Sequence, residues 1–210
     1  MNAKKLIQNG LLNAMTENTR TTSEVQHLSK LYHNQFNSIA ETVRKIQADS
    51  TRTHNEKAPL YKKVLAKIDN NLADTAALMV DNVEQARNRL HGDIETTLNS
   101  GDRMTRLHLA THLRDNKSNF QQLVNEDIRY LQASNEFPSS FYGVKDDDFK
   151  TVTKNALYRH RPELEQMTNT VARSEEHLTR LIDYMNTLKT GTNLLLNNEA
   201  LETRVDENNI

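Results

Sequence analysis

No cysteine occurs anywhere in this chain. Disulfides, thiol nucleophiles and cysteine-ligated zinc are therefore excluded, while reducing and oxidising compartments both stay open. Tryptophan is absent too, and only five glycines and three prolines punctuate 210 residues. Sheet proteins draw on turn residues and on aromatic or β-branched strands, so this shortage argues for an all-α fold. An excess of one charge is also missing, because 27 basic residues meet 28 acidic ones for a formal net charge of −1. That balance leaves no broad basic footprint for nucleic acid. No apolar run approaches the ~18 residues of a spanning helix. The basic start "MNAKKLIQNGLLNAM" is interrupted by Gln8, Asn9, Gly10 and Asn13, against a secretory signal. A soluble protein, cytoplasmic by preference, is expected.

Apolar residues are also scarce, at 36% against the ~45–50% usual for globular chains. Narrow apolar seams are affordable to such a chain; a thick core is not. Asn (24) and Thr (21) are abundant, and their modest helix propensity means that packing, more than intrinsic preference, must hold the helices.

What is present is helical period. From Tyr61 to Leu98 an apolar residue returns every three or four positions, with a mean step of 3.7, which predicts one long helix over about 56–99. Asn55 is its expected cap, Pro59 its first turn and Gly101 its end. Leu164, Met167, Val171, Ser174, Leu178, Leu181, Met185, Leu188, Thr192 and Leu195 step in strict 3,4 alternation. That is a heptad seam, whose natural partner is another helix. Val25, Leu28, Tyr32, Phe36, Ile39, Val43 and Ile46 mark a first helix over about 22–52. A third, about 102–133, carries Met104, Leu107, Ala110, Leu113, Phe120, Val124, Ile128 and Leu131, with Lys117 intruding on the stripe. A fourth spans about 146–190, started by the acidic run Asp146–Asp148 at the dipole's positive end. Pro162 interrupts it or starts its main portion.

Four such helices predict an all-α, elongated antiparallel four-helix bundle or coiled-coil rod. Residues 1–18 form a short amphipathic N-terminal helix carrying Ile7 and Leu11, 19–190 the single bundle domain, and 191–210 a polar tail after Gly191.

Motifs for chemistry are incomplete. Di-iron bundles need Glu-x-x-His on two helices, and Glu24 to His27 is one such pair. His108 and His112 in "HLATH" lack the metalloprotease glutamate and lie opposite the apolar stripe. No Gly-rich phosphate loop, nucleophile elbow or nucleophile–base pair is found. A non-enzyme without cofactors, metal or small-molecule substrate is expected.

The segment "NEFPSSFYGVKDDDF" stands apart, because 134–145 is an irregular loop concentrating Phe137, Phe141 and Tyr142 beside Pro138 and Gly143. Long loops in compact bundles are functional or ordered by their own side chains. Two roles follow for these aromatics: capping the bundle core, or binding a partner. The resulting expectation is a structural, scaffold or adaptor protein working through helix-mediated protein contacts, in an oligomer. The alternative is a peripheral membrane or secretion-associated protein using Ile7 and Leu11 at an interface. Nucleic-acid binding through Lys62, Lys63, Lys67, Arg159 and Arg161 ranks third.

Overall fold

The computed structural model describes residues 23–207, and over them the protein is all-helical. Helices are α1 (Ser23–Ala48), α2 (His54–Lys67), α3 (Ala73–Asn99), α4 (Arg103–Asp115), α5 (Phe120–Glu126), α6 (Ile128–Ser134), α7 (Asp146–His160) and α8 (Pro162–Glu207). A π-helical turn, Ile68–Leu72, joins α2 to α3 without a break, so the predicted 56–99 helix is continuous. The expected N-terminal helix at 1–18 lies outside the described residues.

The chain groups into two compact units. One consists of the described parts of Met1–Glu84 and Ala172–Ile210, the other of Gln85–Val171. Each has its own apolar core.

In the first unit, the stripe of α1 packs with Tyr61, Val64, Ile68, Leu72 and Met79 and with Leu178, Leu181 and Leu188 of α8. Polar ties set the register: the Tyr32 hydroxyl donates to the Leu181 carbonyl at 2.7 Å, and Thr75 Oγ1 donates to Gln35 Oε1 at 3.0 Å. Between α1 and α2, Asp49 accepts from the Thr51 amide at 2.9 Å, which turns the chain. The cap of α2 is Thr53 and not Asn55. Its backbone N–H donates to the Glu56 carboxylate at 2.8 Å, the return half of a capping box, and Pro59 stands inside the helix.

The π turn explains an oddity of the sequence. Val64, Ile68, Leu72 and Ala76 are spaced by four, and in an α-helix each four-residue step rotates the stripe by roughly 40°. One wide turn absorbs that drift, and all four are buried. Ala86, Leu90, Ile94 and Leu98 are spaced the same way in α3 without a π turn. Only Leu90 among them is buried, and the other three are half-exposed.

His177 of α8 meets Ser29 of α1 at 2.6 Å (Nε2 to Oγ). Burial first, and the Arg180 charge second, hold its pKa below the ordinary histidine value. The folded state thus resists protonation that the unfolded chain accepts. Stability is full above the unfolded pKa of ~6.5 and falls as pH drops from there to the folded value, by at most about 1.4 kcal/mol per pH unit. Thermal melts between about pH 5 and about pH 7.5 should show this slope, and His177→Gln should flatten it. An unchanged slope in the variant rejects His177 as its source.

In the second unit, the expected single helix over 102–133 is divided into α4, α5 and α6, with a short 3₁₀ turn at Lys117–Asn119. Asp, Asn and Ser side chains compete locally for backbone groups, and that competition breaks the stripe twice. Asn116 Nδ2 donates to the His112 carbonyl at 2.9 Å, closing α4, and Asp127 accepts from the Arg129 amide at 2.9 Å, starting α6. Doubling back packs α4 on α6 and buries Ala110, Leu113, Phe120, Val124 and Leu131 together.

The predicted 146–190 helix is likewise two, because Arg161 has left helical geometry before Pro162. Gly191 does not end α8. The helical backbone runs on to Glu207, with Gly191 and Thr192 buried and Thr192 Oγ1 bonded to the Leu188 carbonyl at 2.8 Å. The polar tail therefore begins as helix.

Candidate functional site

The segment between α6 and α7 is a folded cap. Pro138 is extended, Ser139–Tyr142 form one 3₁₀ turn, and Gly143 takes φ +67° to end it. A left-handed residue there is inexpensive only for glycine. The Val144 amide returns to the Ser139 carbonyl at 3.2 Å, and the Ser139 hydroxyl donates to Asp146 at the start of α7. Asp146 thus fastens the cap as well as favouring the helix dipole.

This turn drives Tyr142 inward, where it is fully buried. Its ring lies parallel to Phe149 (5.9 Å, 9°), tilted on Phe120 (5.5 Å) and edge-on to Phe141 (5.1 Å). Its hydroxyl donates to the Ala133 carbonyl at 2.9 Å, and burial pushes the phenol's pKa well up. Such a ring is not available to a partner, so Tyr142 belongs to the capping role. That corrects its place among the partner-binding candidates.

Phe137 and Phe141 differ. They stack at 4.2 Å on each other and remain half-exposed, and the Arg114 guanidinium lies 5.3 Å above the Phe141 ring. Aromatic and Arg side chains are the types enriched at interface hot spots. Here they share one surface patch, in which Arg114 is also paired with Asp115 at 3.0 Å. Arg114 was not legible from the sequence, since a lone arginine in a last helical turn is commonplace and its approach to Phe141 depends on the α4–α5 break.

The other sequence candidates separate. Ile7 and Leu11 lie outside the described residues. Leu164, Met167 and Val171 of the heptad seam pack in the core of the second unit, and Leu178, Leu181, Met185 and Leu188 in the core of the first. The seam's partners are helices of its own chain. Lys62, Lys63 and Lys67 are exposed on α2, and Arg159 is exposed on α7. Arg161 is half-buried, paired with Glu163 and donating to Thr97 Oγ1 at 3.2 Å, so it adds little free charge to a basic patch. His108 and His112 are both exposed, and His112 Nδ1 lies 3.1 Å from the Tyr130 hydroxyl. Among the described residues no three His, Asp or Glu side chains are grouped to hold a metal. No described helix is long and apolar enough to cross a membrane.

No family model matches the chain, and no solved structure matches it. Over 58 residues it is 41% identical to Glypican-1 of Homo sapiens, a stretch that is 28% of this chain. The chain spans a tenth of that protein's length, so the likeness concerns one short segment.

Proposed function

We propose that this protein is a non-enzymatic scaffold or adaptor that engages a protein partner through the Phe137, Phe141 and Arg114 patch. The observation that carries this reading is the half-exposed stack of Phe137 on Phe141, held on a base formed by buried Tyr142. Rigid aromatic anchors lose little conformational freedom on binding, which is why they concentrate binding energy. With the heptad seam packed inside the chain, the expectation that it joins a second chain is set aside in favour of this patch. A bundle of helices supplies the support on which such a patch stays in place, and an oligomer follows if the partner is a second copy.

The test is native mass and affinity capture with the full chain and with a Phe137→Ser, Phe141→Ser double variant. The variant is expected to stay folded, because both rings are half-exposed, and to lose the partner or the self-association seen with the parent chain. A parent chain that is strictly monomeric and captures nothing, at concentrations well above micromolar, sinks the proposal. So does a partner that binds both proteins equally.

A further inference from the structure

The second unit holds a cavity of about 260 Å³ between α3, α6 and α7 that the aromatic patch does not use. Its walls are Ile94, Leu98, Leu131, Phe149, Leu157 and Tyr158. Ile94 and Leu98 belong to the stretch of α3 whose four-residue steps drift without a π turn, and the drift leaves their side chains half-exposed on the wall.

The neutral polar side chains lining the cavity already donate to protein acceptors. Ser134 donates to the Leu131 carbonyl (2.7 Å), Thr153 to the Phe149 carbonyl (2.8 Å), the Tyr158 hydroxyl to Thr168 (3.1 Å) and Asn135 to Asn99 (3.3 Å). A ligand that needs neutral donors therefore finds few partners. Two ammonium groups are left, Lys150 and Lys154, one helical turn apart on α7 and both exposed. No ion pair holds either of them among the described residues, and Lys154 Nζ lies 5.8 Å over the Tyr158 ring.

We propose that this cavity binds a slender amphiphile with a carboxylate head, such as a medium-chain fatty acid, its tail against Ile94, Leu98 and Leu157 and its head at the lysines. The volume lies below the ~300–1,000 Å³ of drug-sized sites, which suits an unbranched chain better than a ring system. Charge complementarity selects the head. Lys154 is its main partner, because Asp147 stands one turn before Lys150 on the same ridge and offsets that lysine's field.

The experiment titrates decanoate, and decyltrimethylammonium as a cation of equal tail, into the full chain below their micelle thresholds, by calorimetry and by amide NMR shifts. Decanoate is expected to bind one site with shifts confined to α3, α6 and α7, and the cation to show no saturable binding. Lys154→Glu should weaken decanoate about tenfold, with Lys150→Glu weaker in effect; both changes are on exposed side chains and keep the fold. Ile94→Trp, which fills the mouth, should abolish binding. Absence of saturable decanoate binding overturns the proposal, as does equal binding of the two head groups or indifference to both charge reversals. An acidic peptide with one apolar anchor that binds this cavity where decanoate does not overturns it in favour of a protein ligand.

Discussion

Replacing Tyr142 by alanine is expected to lower the unfolding free energy by about 3–5 kcal/mol, the range for deleting a buried aromatic side chain. The ring is fully buried and in contact with Phe120, Phe141 and Phe149, so its removal leaves a cavity that neighbouring rings cannot fill without abandoning their own stacking. The Ala133 carbonyl also loses the shorter of two bonds, keeping the one from the Glu136 amide at 3.2 Å. Tyr142→Phe separates the two contributions: it keeps the packing, leaves the carbonyl its bond from the Glu136 amide (3.2 Å) and should cost about 0.5–1.5 kcal/mol, the worth of one hydrogen bond. Denaturant unfolding followed by hydrogen exchange over α5 to α7 measures both. A loss below about 1 kcal/mol in Tyr142→Ala shows that the 135–145 segment is a surface loop and does not cap the core.

Arg106→Ala is expected to cost about 2–3 kcal/mol, just under the range for removing one partner of a fully buried ion pair, because this pair is only partly buried. Arg106 Nη1 donates to the carbonyls of Asn99 (2.8 Å), Ser100 (3.1 Å) and Gly101 (2.8 Å), while Nε donates to Glu136 Oε1 at 2.5 Å. Carbonyls at the end of a helix have no intrahelical partner, and a cation there is also favoured by the helix dipole. Both ionic side chains are only 12% and 14% exposed, so the variant strands a carboxylate in poor solvent. Lysine is no remedy, since its ammonium lacks the fork that reaches three carbonyls and a carboxylate together. Adding Glu136→Gln to Arg106→Ala should recover part of the loss, because the stranded charge is gone. Two single variants whose costs simply add would show that the pair is not coupled.

Arg106 also shows why part of the structure was illegible in the sequence. The long helices are local facts: the stripes of α1, the α2 to α3 run and α8 repeat often enough that their period alone identifies them. Arg106 reads as one surface arginine among several, and its role exists only because α3 ends beside α6. The same holds for Arg114 over Phe141. The break in 102–133 had local signals, Asn116 and Asp127, but the apolar stripe continued across both and masked them. Each cap offsets about 1 kcal/mol, and the stripe was satisfied equally well by helices folded back on themselves.

By itself the sequence determined the all-helical class, the three long helices, a disturbance at Pro162 and the acidic start at Asp146–Asp148. Those features depend on neighbours within a turn or two, where period, capping and proline sterics act. Tertiary structure decided what each apolar face covers: it closed the heptad seam on the chain's own helices, divided the core in two, turned Tyr142 inward and left Phe137 and Phe141 at the surface. Hydrophobic burial has no direction of its own, so a stripe announces that it will be covered and only the folded chain selects by what.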